Sequence, residues 1–432
     1  MSRRTVNDCP PAVVPRAAAA ARIRPAHWQA AVALLDRIRD GQAADAALGN
    51  WFREHRQMGG RDRGNVTTLI YGVLRDAMRV QRIAGAQASA ADWLGVHALS
   101  AGLLDRDALH LLAGTAADAA AARLATFDET TLSDAERLNV PASIWSRWRT
   151  QYGDADARAL AEALNREAPV DLRVNLLKTT RARAAAALRD AGLEPVETTW
   201  SPWGLRLSRR AALQNTAAYR DGWVEPQDEG SQLLAALVDA RPGERIADFC
   251  AGAGGKTLAL GAALQDRGEL WALDIAASRL SRLGARVQRA GVSIAQACVL
   301  PDAAWLAAHR AHFDAVLVDA PCSATGTWRR NPELRLRAID FAALARQQRE
   351  ILAEAATLVR PGGRLIYATC SLMNEENEAV VADFLAANPR FHGESAANVV
   401  DPGDSGPFLR PLPHRHGTDG FFAARLRCGN ED

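Results

Sequence analysis

RIADFCAGAGGKTLALGAALQDRGELWALD, residues 245–274, decides how the second half of the chain is read. RIADFC is a short apolar run of strand length, and KTLALGAALQD carries its apolar residues at helical spacing. ELWALD is a second such run, ending on Asp274. Strand, glycine-rich turn, helix and strand make one βαβ unit, in which the N–H groups of the turn and the helix N-terminus face a ligand. The alternation continues through SRLSRLGARVQRAG (278–291), IAQACVL (294–300), AAWLAAHR (303–310), FDAVLVDAP (313–321), FAALARQQREILAEAATLV (341–359) and RLIYATCS (364–371). NEENEAVVADFLAANP (374–389) reads as a helix with Asn374 as N-cap and acids in its first turn, and FFAARLRC (421–428) as a last strand. Strictly alternating elements imply a doubly wound α/β domain. Its sheet is mainly parallel, covered on both faces, with the active site at the C-terminal strand ends.

Upstream the pattern differs. Residues 1–24, with two adjacent prolines and an alanine tract, read as a flexible arm. Residues 25–127 are helical: Ala30, Val32, Leu34, Leu35 and Ile38 form one apolar face, and Thr68, Leu69, Tyr71, Gly72 and Leu74 suggest another. Gly59-Gly60 and Gly114 break the run, and Arg53, Arg56, Arg61, Arg63, Arg75 and Arg79 offer a basic patch that suits phosphate or plain solvent equally. Residues 128–220 read as linker helices, with Trp145 and Trp148 packed at i, i+3, followed by a small α+β unit over 170–210. The α/β domain takes residues 221–432.

Composition sets outer limits. The 432 residues suggest two to four domains, and 48% hydrophobic with 24% charged residues excludes wholesale disorder. No apolar run reaches the ~18 residues of a membrane span, and the proline-broken MSRRTVNDCPPAVVPR does not resemble a secretory signal. Cys9, Cys250, Cys298, Cys322, Cys370 and Cys428 form no CxxC pair, so no metal site is expected and a reducing cytoplasm is. A net charge of +2 neither demands nor excludes a nucleic acid. Of 52 basic residues only Lys178 and Lys256 are lysines, which makes each informative.

Two ligand classes compete for the glycine turn. A phosphate loop needs GxxxxGK[ST], and Gly255-Lys256-Thr257 supplies its end, but Cys250 stands where the first glycine belongs. S-adenosylmethionine needs close backbone, here Cys250, Ala251, Gly252, Ala253, Gly254, Gly255 and Lys256, and a carboxylate ending the second strand to hold ribose hydroxyls, here Asp274. The methyl donor is the preferred reading.

VLVDAPCS and IYATCS each end a strand with a cysteine in the following turn. In this topology the two strands are neighbours, so Cys322 and Cys370 are expected to face one cleft, with Lys256 the nearest cation. A lone cysteine is usually a small buried hydrophobe. Beside a methyl donor, however, a thiolate has a specific use: added to carbon 6 of cytosine, it makes carbon 5 nucleophilic toward the methyl group. Asp319 is placed to assist at ring nitrogen 3, and the base must leave its stack.

These segments together resemble the RsmB/Nop/Sun family of RNA cytosine-5 methyltransferases. VEPQDEGSQ (224–232), DFCAGAGGKT (248–257), LDIAASRLSRL (273–283), DAPCSATGTWRRNPE (319–333), PGGRLIYATCSLMNEEN (361–377) and DGFFAARL (419–426) carry the likeness, and PASIWSRWRTQYG and LRVNLLKTT extend it. RDRGNVTTLIYGVLRD (61–76) is similar to the NusB-like RNA-binding domain of bacterial ribosomal members. The resemblance implies a class I, Rossmann-like methyltransferase domain, preceded by a small α+β RNA-binding unit and an all-α NusB-like domain. It implies Cys370 as nucleophile, Cys322 in product release, and Asp302 beside Asp274 and Asp319 at the cofactor. Gly252 and Ala253 depart from the family's usual alanine and proline, which implies altered rigidity of the turn. Gln227 and Ser231 are read as structural, Gln227 lying near the catalytic strands, and Arg329 and Arg330 as approaching RNA phosphate. The implied substrate is 16S ribosomal RNA, with tRNA second, and the enzyme is expected to be monomeric. A non-catalytic RNA-binding assembly factor would be marked by loss of Cys370, Asp319 or the turn, and all are present.

Overall fold

The six strands that the periodicity predicts after residue 244 form one sheet with a seventh, Phe391–Glu394, and the computed structural model gives their order. It describes residues 23–403 and 406–430; residues 1–22 of the expected arm, Cys9 among them, lie outside the described residues. The chain divides into two compact units, one ending at Asn139 and one starting at Val140.

The first unit is helical. Pro25–Arg39, Gly60–Leu74 and Ala90–Ser100 supply much of its core, with Leu34, Leu35, Ile70, Leu74 and Leu94 fully buried. Leu69, Tyr71 and Leu74 are buried as the pattern predicts, but Thr68 is exposed. The unit runs past residue 127 because Ala135 and Leu138 are buried, and because the Asn139 side chain accepts from the Met78 N–H at 3.0 Å and donates to the Leu74 carbonyl at 3.2 Å. In the basic patch, Arg79 pairs with Asp76 and Glu129 and Arg63 donates to the Met58 carbonyl, while Arg53, Arg56 and Arg61 are exposed.

The second unit opens with helices Ala142–Tyr152 and Asp154–Asn165. Trp148 is fully buried with its ring 5.4 Å from that of Trp328, an aromatic pair worth about 0.5–1.5 kcal/mol beyond its buried area. Strands β1 (Val170–Val174), β2 (Pro195–Glu197), β3 (Gly204–Leu207) and β4 (Val224–Pro226) make an antiparallel sheet in the order β2-β3-β1-β4, against which the helix Arg181–Asp190 buries Ala184 and Leu188. VEP, read from sequence as the start of the next domain, thus belongs to this sheet: Val224 pairs with Val174 and is buried in the same core.

Strands β5 (Arg245–Asp248), β6 (Glu269–Asp274), β7 (Ala295–Val299), β8 (Phe313–Asp319), β9 (Val359–Thr369), β10 (Phe391–Glu394) and β11 (Phe422–Cys428) form the large sheet in the order β10-β11-β9-β8-β5-β6-β7. The pairs among β5 to β9 are parallel, and those of β11 with β9 and β10 antiparallel. Side chains alternate between two cores: Phe313, Val316, Val318 and Tyr367 on one face, Ile246, Leu270, Leu317 and Ile366 on the other. Near residue 374 the helix starts later than expected. Asn374–Glu376 is a 3-10 turn, and the helix is Glu378–Ala387, preceded by Asn377. Asn377 is drawn away from capping, because its side chain accepts from Thr369 Oγ1 at 2.6 Å and donates to the Ser371 carbonyl at 2.9 Å. Among the described residues no helix is long and apolar enough to cross a membrane, and no group of side chains suits a metal ion.

Each unit has its own buried core, so residues 23–139 and residues 140–432, produced separately, should each fold. Circular dichroism should give an all-helical spectrum for the first and one cooperative thermal transition for each. A gradual, non-cooperative melt of either fragment would show that its core is incomplete.

Candidate active site

The strand order reverses between β5 and β8, and a cleft of about 860 Å³ opens at this switch point. Beyond β5 the chain turns sharply: Gly252 has φ +57° and Gly254 φ +83°, conformations that side chains disfavour. A Cβ on Gly252 would meet nothing within 4 Å, whereas one on Gly254 would lie 2.1 Å from Leu283 Cδ1. Gly252 is therefore open to the cleft. Gly254 instead packs the turn beneath the helix Leu283–Ala290, and it does not line the cleft. Cys250, Ala251, Gly252, Ala253, Gly255 and Lys256 do.

Each of the three strands around the turn ends on a carboxylate. Asp274, ending β6, holds the turn from the side, its Oδ2 accepting from Gly252 N–H at 2.8 Å and its Oδ1 from Ala276 N–H at 2.8 Å. Asp319, ending β8, accepts from Lys256 Nζ at 2.5 Å. Burial pulls the Lys256 ammonium down, but Asp319 and then Asp248 outweigh it and hold its pKa above the ordinary value. Asp248, ending β5, accepts from Thr257 Oγ1 at 2.7 Å through Oδ2, while its buried Oδ1 has no partner. Burial pushes Asp248 up to about 6 despite the Thr257 hydroxyl and the Lys256 charge. Burial and these carboxylates also push the Cys250 thiol up, so it is held protonated.

The register of β8 with β9, Asp319 opposite Ala368, brings the two following turns side by side. Cys322 and Cys370 are both half-buried, and their sulfurs lie 3.4 Å apart. The Cys370 contact, reinforced by burial, pushes the Cys322 thiol well up. Cys370 is among the groups whose charge favours the Lys256 ammonium, after Asp319 and Asp248.

Other expected residues fall elsewhere. Asp302 is exposed and absent from the cleft wall: its carboxylate accepts from Trp305 N–H at 2.9 Å and caps the helix Ala303–Ala308, leaving Leu300 and Pro301 to line the cleft. Arg329 and Arg330 do not form a solvated phosphate-binding loop. Arg329 is 5% exposed, and both guanidiniums bind Asp228 and Asp419, Arg330 at 2.7 and 2.5 Å. Such pairs compensate desolvation only when closely matched, as these are. Gln227 and Ser231 line the cleft, and Gln227 accepts from Arg173 NH1 at 2.6 Å and donates to Ser231 Oγ at 3.2 Å.

Sequence reasoning missed Asp248, Ile275, Arg279, Leu300, Gln347 and Glu354 on the cleft wall. Asp248 carried the same signal as Asp274 and Asp319, a carboxylate closing an apolar strand. The others come from strand-end loops, from the short helix Ala277–Leu280 and from the helix Phe341–Ala356, and nothing in their local pattern marks them.

Comparison with known proteins places the chain in a family. The profile of the family described as 16S rRNA methyltransferase RsmB/F matches residues 235–427, and that of the ferredoxin-like domain of RsmF/B-like methyltransferases matches residues 140–214. The probable ribosomal RNA small subunit methyltransferase B of Synechocystis sp. is 33% identical over 316 residues, 69% of this chain and 69% of that protein. The ribosomal RNA small subunit methyltransferase B of Xylella fastidiosa (strain 9a5c) is 38% identical over 322 residues, 70% of this chain and 74% of that one. A crystal structure of a methyltransferase homologue from Pyrococcus horikoshii is similar with a TM-score of 0.60 and 26% identity, covering 70% of this chain and 100% of that one. The chain belongs to the RsmB/F family of methyltransferases.

Proposed function

We propose that this protein transfers a methyl group from S-adenosylmethionine to carbon 5 of a cytosine in RNA, and that the RNA is 16S ribosomal RNA. The observation that carries the reading is the pair of thiols, 3.4 Å apart, at two neighbouring strand ends; neither thiol lines the glycine-turn cleft, but Asp319 and Pro321, just before Cys322, do. The matched relatives named for small-subunit ribosomal RNA favour that substrate over tRNA.

The cleft suits the methyl donor. Its volume falls in the range of small-molecule sites, about 300–1,000 Å³. Gly252 leaves room for close backbone approach, and the unpartnered Asp248 Oδ1 offers an acceptor for the donor's methionine ammonium. Asp274 is the acceptor for ribose hydroxyls, with Ile275, 72% exposed, as an apolar face for the adenine. Asp302 has no part in it. The donor supplies an electrophilic methyl on a cationic sulfur, for which a wall of carboxylates is a favourable surrounding.

In the proposed reaction Cys370 attacks. Its thiolate forms a bond to carbon 6 of a flipped-out cytosine, and carbon 5 takes the methyl, releasing S-adenosylhomocysteine. Asp319, positioned by Lys256, acts in its carboxylic acid form and donates its proton to ring nitrogen 3 as electron density moves into the ring, taking it back when the double bond is restored. The carbon-5 proton then leaves to a base, the sulfur–carbon bond breaks, and the double bond is restored. Cys322, held as a thiol, serves this second half. The first, helical unit is proposed to dock the RNA, with Arg53, Arg56 and Arg61 among its exposed cations.

Calorimetry should separate Asp274 from Asp302. Asp274→Ala loses charge-assisted bonds of about 1.5–3 kcal/mol each, so S-adenosylmethionine should bind at least about tenfold more weakly. Asp302→Ala should leave the affinity unchanged, and a loss there equal to that of Asp274→Ala would return Asp302 to the site.

The cysteine roles predict opposite phenotypes. Cys322→Ala should accumulate an RNA–protein adduct that survives denaturing gels and requires S-adenosylmethionine. Cys370→Ala and the double variant should form none, and the reverse pattern would exchange the two roles.

The substrate is tested by bisulfite sequencing of total RNA from a strain lacking this protein. One 16S cytosine should lose its methyl group; a change confined to tRNA would refute the ribosomal assignment.

A further inference from the structure

A serine follows each thiol in sequence, Ser323 after Cys322 and Ser371 after Cys370, and both reach one carboxylate. That carboxylate belongs to Glu376, which is 0% exposed at the end of the turn Asn374–Glu376. Its Oε1 accepts from Ser323 N–H at 2.8 Å and from Gln348 Nε2 at 3.0 Å. Its Oε2 accepts from Ser323 Oγ at 2.5 Å and from Ser371 Oγ. Four donors thus meet the roughly four lone-pair positions of a carboxylate, so the buried group is fully satisfied. Gln348 also donates to the Pro321 carbonyl at 3.0 Å, which fixes the residue before Cys322 through the same side chain. The Glu376 carbonyl accepts from Tyr367 OH at 2.6 Å, anchoring the turn to β9.

The two cysteine loops leave different strands, and β-sheet pairing ends at Asp319 and Ala368. Beyond that point Glu376 is a side chain bonded directly to both loops. An apolar residue could fill the same space more cheaply, because a buried carboxylate is costly wherever any bond is missing. We propose that Glu376 is a positioning residue that sets the spacing of the two thiols, holding their sulfurs in contact so that one attacks the base while the other is already in place for release. This rests on the two-thiol reading given above. Glu376 bonds the serines and neither sulfur, so its effect reaches the chemistry only through the loops.

The test reads spacing independently of catalysis. Diamide oxidises two thiols to a disulfide and is itself reduced to the hydrazine. Applied to the full-length protein, with the Cys322–Cys370 peptide followed by mass spectrometry, it should join these two cysteines rapidly. In Glu376→Gln an amide –NH2 replaces one acceptor oxygen among four donors, and the cross-link should form about tenfold more slowly. Ser371→Ala and Ser323→Ala, which each remove one tether, should slow it less. In all three variants kcat for RNA methylation should fall, while KM for RNA and the affinity for S-adenosylmethionine stay near wild type. Unchanged cross-linking and unchanged kcat in a folded Glu376→Gln protein would overturn the proposal. If that variant does not fold, unchanged cross-linking in both serine variants overturns it. Slower cross-linking together with a wild-type protein that methylates no RNA would uphold the tether and refute the reading of function.

Discussion

Strand β8 hydrogen-bonds in parallel to β5 on one side and to β9 on the other, and everything chemical in the second unit hangs on that double register. Asp248 aligns with Leu317, and Asp319 with Ala368, so three strands stop at nearly the same height. The turns that follow deliver the glycine loop, the Asp319–Cys322 segment and Cys370 to one rim. Val316, Leu317 and Val318 are fully buried between two cores, and a slip of one residue would turn each toward the wrong one. The hydrophobic alternation of seven residues thereby fixes where two sulfurs meet.

Charge is arranged around the same rim with little to spare. Asp248, Asp274 and Asp319 share the cleft wall with two cations, Lys256 and Arg279, and Lys256 binds Asp319 directly. Asp274 accepts from two backbone N–H groups and so shapes the turn. Asp248 is left with one bare oxygen and takes up a proton more readily than an ordinary carboxylate. Its protonated form favours the folded chain: that contribution is full below the ordinary carboxylate range and is lost as the pH rises through about 6. The strain of the unpaired oxygen is what a cationic ligand would relieve.

Much of this is legible in the sequence, and the failures have physical causes. Strand–helix alternation announces the sheet, and carboxylates or cysteines closing apolar runs announce its rim. Asp302 misleads because a carboxylate beside a proline suits a helix cap as well as a ligand. Arg329 and Arg330 look like surface cations because the acids that bury them, Asp228 and Asp419, lie about ninety to a hundred residues away in the chain. VEP and FHGE are too short to show a period, so β4 and β10 emerge only from their pairing partners. Glu376 looks like one more surface acid in NEENE until Ser323 and Ser371 are seen to converge on it.

The scarcity of lysine gives the protein an unusual chemical profile. Of its two side-chain amines, that of Lys178 is engaged by the Asp221 and Arg289 carbonyls, and that of Lys256 is enclosed against Asp319. An acylating reagent therefore finds two side-chain amines on the folded chain, of which Lys178 is exposed and Lys256 only partly so. Lys256 is partly exposed on the cleft wall and paired with Asp319, so the rate at which it is acylated relative to Lys178 would report the state of the cleft rather than general surface exposure.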